Sequence, residues 1–363
     1  MTLLSNFVLP TAESELWRYS RIAELDLADM TVGSVSTSVV GDAEVGGMSH
    51  IALADVSSEE ADVFESLHNQ HARVVRVATS RGQTIENPVL VTHEVRDSGT
   101  VGFPSLEIDA AENSEVVVVE RFVSADGCRA LVVPMVKIRA AQSARVTYVA
   151  INELGRETWM IGYQRASGER DSTISTSTIA LGGDYSRVRA AVRLVGQGAS
   201  AKQVALYFAN GNQMHDFRTL QDHAAPRTRS DLLFKGAVRD TAKSVYTGLI
   251  KIRDNADKSE AFQTNRNLTL SSGAWAESVP NLEIETNDVK CSHASTVGPI
   301  DDEQRFYLES RGIRPEIAER LVVFGFFADV IDRLPPAAHP EALRRKVGEK
   351  LLAAATSELV GTP

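Results

Sequence analysis

A chain of 363 residues with 43% hydrophobic and 24% charged residues has the balance of a folded protein, long enough for two or three domains or for one extended repeat body with end caps. Its formal net charge of −10 and pI near 5.4, with no Lys/Arg cluster interleaved with aromatics, argue against binding nucleic acid. Cys128 and Cys291 are its only cysteines, which excludes a disulfide framework; with no signal-peptide pattern in residues 1–10 and no membrane-length apolar run, a cytoplasmic protein is expected.

The first hundred residues read as mixed. Thr11 can cap a helix over residues 11–25, with Leu16, Trp17, Tyr19 and Ile22 near helical spacing. Ser57 or Ser58 can cap a second one to Asn69, in which Ala61, Phe64 and Leu67 recur every three residues. From about Glu115 the character changes to short β-branched runs between Gly, Asp, Asn or Pro. Strands are predicted over residues 115–123, 144–151, 158–164, 172–180, 188–195, 203–209, 231–237 and 244–252.

Turn residues at Gly155, Gly168, Gly183, Gly198, Gly211, Pro226, Asp240 and Asp254 are spaced 13 to 15 apart. Every second strand centre, near Thr147, Thr176, Ala205 and Phe234, repeats after 29 residues. A two-strand unit with that period cannot bury its apolar face alone, but stacking coil on coil builds a continuous core. The expectation is a parallel β-helix, with a β-sandwich as the alternative. Beyond Pro299 three helices are predicted: 303–311 capped by Asp301 or Asp302; 315–334 with an apolar stripe of Ile317, Leu321, Val322, Phe324 and Phe327; and 340–359. The chain thus divides into a mixed α/β region (1–114), a β-helix core (115–290) and a C-terminal helical domain (291–363).

No phosphate-binding loop, nucleophile elbow or His-Glu-x-x-His pair occurs, so neither ATP hydrolysis nor those hydrolytic chemistries are expected. Cys291 and His293 place a soft thiolate and an imidazole one residue apart, a pair suited to iron, zinc or copper, yet they supply at most two of the usual four ligands. A buried structural cysteine beside a hydrogen-bonded histidine is the plainer reading. His215 and His223 share one face of a strand and read as part of a polar ladder between coils rather than as a metal site. Arg218, Arg227 and Arg229, interrupted by Asp216, Asp222 and Asp231, read as a solvated sheet surface, and Cys128 as an apolar core residue.

The run Asp288-Val289-Lys290-Cys291-Ser292-His293-Ala294-Ser295-Thr296-Val297-Gly298, followed by Asp301 to Gln304 and by Phe306 to Ile313, closely resembles the closing signature of the SufD family, scaffold subunits of the SufBCD iron-sulfur cluster assembly complex. Pro280 to Ile284, His215-Asp216, His223, Pro226, Ser230, Lys235-Gly236 and Tyr246 to Gly248 agree with that family in order, and Pro10, Glu15 and Trp17 to Tyr19 echo its opening more weakly. Ala294 departs from the glycine the family often carries there.

The resemblance implies a right-handed parallel β-helix that pairs with a SufB-like subunit, and a helical domain that docks SufC, an ABC-type ATPase. His293 then matches the family histidine facing a SufB cysteine where an iron-sulfur cluster or its iron would form, and Cys291 is the second candidate donor. The partner would supply the missing ligands, and the chain itself would be no enzyme. Pairing with itself is possible when SufB is absent. The related SufB subunits, which are longer and carry Glu-His-Glu around the aligned histidine, are the nearest alternative. From a different class, a β-helix polysaccharide lyase or hydrolase would use carboxylates such as Asp171, Asp184 or Asp216.

Overall fold

The computed structural model describes residues 8–45, 51, 53 and 62–360, with side chains as far as residue 352. Strands that alternate apolar and polar residues between tight corners leave one face each to bury, and the chain meets that demand by winding. One parallel sheet carries Arg145–Glu153, Thr173–Ala180, Ser200–Ala209, Arg229–Val238, Glu260–Thr269 and Lys290–Gly298 in that order. The facing sheet carries Trp159–Gly168, Tyr185–Leu194, Met214–His223, Lys243–Ile252 and Trp275–Ile284. Each coil gives one strand to each sheet. Ser200 lies beside Arg229 and Met214 beside Lys243, both 29 positions on, the interval expected from the sequence. The result is a mainly β protein, a parallel β-helix of about eight turns followed by helices.

The stacked sheets begin well upstream of residue 115. Val89–Val95 and Glu115–Ser124 extend the first sheet, and Arg73–Ala78, Pro104–Ala110 and Met135–Ala140 the second. Ser36–Val40 and Glu44–Val45 pair antiparallel with the outermost of these strands and close that end. At the opposite end Trp275–Ile284 and Lys290–Gly298 are, among the described residues, paired on one side only.

Residues 11–25 do not form the expected helix. They make two short turns, Glu15–Trp17 and Ile22–Glu24, separated by Tyr19 at a φ of 66°. Arg187 donates to the Leu16 carbonyl and Arg218 to that of Arg18, so arginines of the sheet take acceptors that a helix would have used. Trp17 is buried against Phe64 and under the Arg187 guanidinium, which ties this segment across the second sheet. The helix α1, Val63–His71, starts from Asp62, whose carboxylate accepts from the amides of Phe64 and Glu65 at 3.1 Å. The expected start at Ser57 or Ser58 lies outside the described residues.

The C-terminal helices are α2 (Asp302–Ser310), α3 (Pro315–Ile331) and α4 (Pro340–Val360). Asp301 caps α2, as expected. In α3 the buried residues are Ala318, Val323, Phe327, Val330 and Ile331, whereas Leu321 is 46% exposed, so the apolar stripe is rotated from the expected one. The helix is apolar on nearly every side, and periodicity therefore does not single out the packed face. Val323 and Phe327, with Leu343, Val347 and Leu351 of α4, bury against Val204, Leu206 and Phe208 on the outer face of the first sheet. Among the described residues no helix is long and apolar enough to cross a membrane.

Candidate metal centre at the end of the coil

Parallel pairing in register fixes which face each residue of the last coil presents. In Glu260–Thr269 the buried residues Ala261, Gln263, Asn265 and Asn267 alternate with more exposed ones, which marks the inner face. Lys290–Gly298 pairs with this strand so that Cys291 lies beside Ala261 and His293 beside Gln263. Both candidate ligands therefore hold inner-face positions in a coil that, among the described residues, no further coil covers. His293 is exposed, and Cys291 is half-buried against Ile250, Ile252 and Ala261.

Two residues apart on one strand, the pair is separated by roughly 7 Å along the backbone and can converge on one ion. Sulfur and imidazole nitrogen suit iron or zinc but leave a tetrahedral site two donors short. Burial raises the Cys291 thiol above its ordinary value, so it is protonated at neutral pH and would shed that proton to bind a metal. Among the described residues no group of three or more His, Cys, Asp and Glu side chains is placed to hold a metal ion. Cys291 and His293 thus offer two of the four donors that a tetrahedral site needs. Sequence reading alone does not single out Gln263, although counting one coil back from His293 lands on it.

The other candidates are placed elsewhere. His215 and His223 do share the inner face, but they are roughly 26 Å apart along the strand and cannot meet at one ligand. His223 bonds to the hydroxyls of Thr228 and Ser230 at 2.7 Å, whereas His215 makes no well-formed hydrogen bond. Burial, reinforced for His215 by the Lys350 charge, lowers them to about 3 for His215 and about 4 for His223, so both are neutral at physiological pH. The expected polar ladder between coils is present on this inner face, where Thr219 bonds the Tyr246 hydroxyl of the next coil at 2.9 Å, and on the outer face, where Asp222 bridges Arg193 and Arg253 of the neighbouring coils. Arg218 is no solvated surface group: it is largely enclosed beside Asp216, which also binds the buried Arg187. Cys128 is buried in an apolar cluster with Val95, Phe122 and Leu154.

The three carboxylates that an alternative enzyme would use do not share a groove. Asp216 is fully buried between Arg187 and Arg218; Asp184 accepts from the Trp159 indole at 2.8 Å and from Arg21 at 3.0 Å; and Asp171 is exposed at a coil corner.

An open groove of about 1340 Å³ runs between the last coils and helices α2 and α3, lined by Arg266, Thr296, Tyr307, Leu321 and Phe326 among others. Phe306 and Tyr307 on α2 are 71% and 58% exposed, large apolar surfaces at the rim of the same end of the molecule.

Residues 90–326 match the family described as "SUF system FeS cluster assembly, SufBD core domain". An iron-sulfur cluster assembly SufBD family protein of Mycobacterium leprae is 34% identical over 379 aligned residues, spanning 98% of this chain and 92% of the relative. The iron-sulfur cluster assembly protein SufD of Escherichia coli is 27% identical over 378 residues, spanning 94% and 89% of the two chains. SufD of Bacillus subtilis is 31% identical over 253 residues, spanning 69% and 58%. The matched core spans most of the wound region just described, and the chain belongs to the SufBD family of iron-sulfur cluster assembly proteins, as a member of the SufD type.

Proposed function

We propose that this chain is a non-catalytic scaffold that pairs through its last coil with a SufB-type subunit. In that pairing His293 and Cys291 contribute half of the ligands for a nascent iron-sulfur cluster or its iron, which is cargo rather than a resident cofactor. The observation that carries the reading is an imidazole and a thiol on the inner face of a coil that no further coil covers among the described residues. The outer edges of Trp275–Ile284 and Lys290–Gly298 leave backbone donors and acceptors unpaired, and Leu282, Ile284 and Val297 are each at least 40% exposed, which suits addition of a partner's strands. Helices α2 and α3 with their groove, about residues 300 to 335, receive a SufC-type ATPase, whose nucleotide cycle strains the interface and opens the site. Two free cysteines suit a reducing compartment such as the cytoplasm.

The test is co-purification of the tagged chain with SufB-type and SufC-type subunits, with and without ATP, followed by reconstitution with ferrous iron and sulfide. A ternary complex that builds clusters, and loses that ability in His293→Ala while staying assembled, is the expected result. A His293→Ala complex that builds clusters as well as the parent overturns the ligand role. Failure to capture either subunit, with a stable pair of identical chains in its place, overturns the heteromeric reading.

A further inference from the structure

Gln263 is 1% exposed, and neither its amide oxygen nor its amide nitrogen makes a hydrogen bond. Its neighbours on the same inner face differ. Asn265 donates to the Tyr207 hydroxyl at 3.0 Å, and Asn267 donates to Asn265 Oδ1 at 2.8 Å. The Gln263 amide reaches across the lumen into space left by Gly248, where a Cβ would stand 2.5 Å from Nε2. Gly248 lies one coil below Pro280, and Gln263 one coil below His293. On the facing strand of the last coil, Ser278 Oγ is likewise enclosed and without a partner.

An enclosed amide that has lost water and gained no partner lowers stability, and an apolar side chain of similar size would fill the same space without that penalty. The position is therefore polar at the fold's expense. The side chain directly above it on the same face is His293, whose ring stands in solvent at the mouth of the coil.

Building on the ligand role proposed above for His293, we propose that Gln263 is its positioning residue. When the ring turns inward, one nitrogen donates its N–H to the Gln263 amide oxygen. That bond selects a single neutral tautomer and leaves the lone pair of the other nitrogen directed out of the mouth, towards the metal. Gln263 touches neither metal nor sulfide. Its task is to aim the imidazole.

The test uses the full chain with ¹⁵N-labelled histidine, Zn²⁺ as the probe, and three variants: Gln263→Leu, Gln263→Met and His293→Ala. In the parent, Zn²⁺ is expected to bring the His293 ring to one tautomer in long-range ¹H–¹⁵N spectra, the signal being assigned by its loss in His293→Ala. Gln263→Leu and Gln263→Met are expected to keep or raise Tm, to weaken Zn²⁺ binding about tenfold or more, and to leave His293 in mixed tautomers. A lower Tm in both Gln263 variants with unchanged Zn²⁺ affinity makes Gln263 a packing residue and overturns the inference while His293 keeps its role. Unchanged affinity in His293→Ala overturns the ligand role itself, and the inference with it.

Discussion

The Tyr207 hydroxyl donates to Asn267 Oδ1 at 2.6 Å, although the two residues sit on strands two coils apart. The strand between them presents Gly236 at that register, and a Cβ there would stand 1.8 Å from Tyr207 Cε2. The ring passes over bare backbone to reach the asparagines. Gly236→Ala is expected to expel it and take away the hydroxyl that both Asn265 and Asn267 bond, at a cost of about 3 kcal/mol or more. Tyr207→Phe, which keeps the ring and removes only the hydroxyl, is expected to cost about 1–2 kcal/mol. Urea denaturation of both variants checks the order; equal losses would mean that the hydroxyl, not the clearance, is what matters.

The Lys235 ammonium holds α3 to the sheet through Asp329 Oδ1 at 2.7 Å and the Phe326 carbonyl at 2.8 Å. The lysine side chain is 7% exposed and that of Asp329 is 50% exposed. Asp329→Ala leaves an enclosed cation with one neutral acceptor. Because solvent screens the carboxylate, the expected loss is about 1–2 kcal/mol, below the range for fully buried pairs. The effect should be local, with backbone amides of α3 exchanging faster while those of the inner strands keep their protection. Uniform acceleration across the coils would contradict this.

Lys350 of α4 donates to the Phe208 carbonyl, Asn210 Oδ1 and Gln213 Oε1 at 3.0, 2.9 and 2.8 Å. Burial, and then the Arg156 charge, lower it from 10.5 to about 7. Above that value the native amine is neutral while the unfolded lysine still carries its proton, so the unfolded state binds more protons and stability rises with pH; below it both states are charged and the contribution is flat. Relative to Lys350→Met, the parent is expected to gain ~1 kcal/mol per pH unit between pH 7 and 9. Paired denaturation curves at three pH values measure this, and a flat difference would mean that the three acceptors hold the ammonium charged throughout.

His293 is exposed and packs into no core cluster, so His293→Ala should leave Tm and the denaturation midpoint of the isolated chain within experimental scatter. Cys291→Ala, which removes a half-buried sulfur beside Ile250 and Ile252, is expected to cost about 1 kcal/mol. Loss of cluster assembly in both variants, without loss of fold in the first, separates the chemistry from the scaffold.

The coils from residue 145 onward are legible in the sequence because glycine, proline and aspartate mark each corner at near-constant spacing. The earlier coils keep nearly the same interval, with Val89 beside Val118 and Ser105 beside Met135, 29 and 30 positions on, but their corners at Gly82, Gly99, Asn113 and Gly127 are spaced less evenly, 14 to 17 residues apart, and so stand out less in the sequence. The segment at residues 11–25 misleads for a tertiary reason. Its helix-like spacing is overridden by Arg187 and Arg218, groups about two hundred residues away in the chain that bind its carbonyls. Arg218 misleads likewise, since alternating charges do not reveal which stretch of sheet lies beneath another segment. His293 and Cys291 stand out by type and spacing, whereas Gln263 becomes visible only once the winding tells which residue lies beneath which.

Antiparallel strands seal the early end of the winding, and among the described residues the late end has no such plug. A stack that stops with its ladder unfinished behaves as a seed, and any extended segment of suitable length can grow upon it. Producing this polypeptide by itself therefore carries a polymerisation hazard that climbs with concentration. A partner that covered that end, as proposed above, would also govern how much of the chain can stay dispersed.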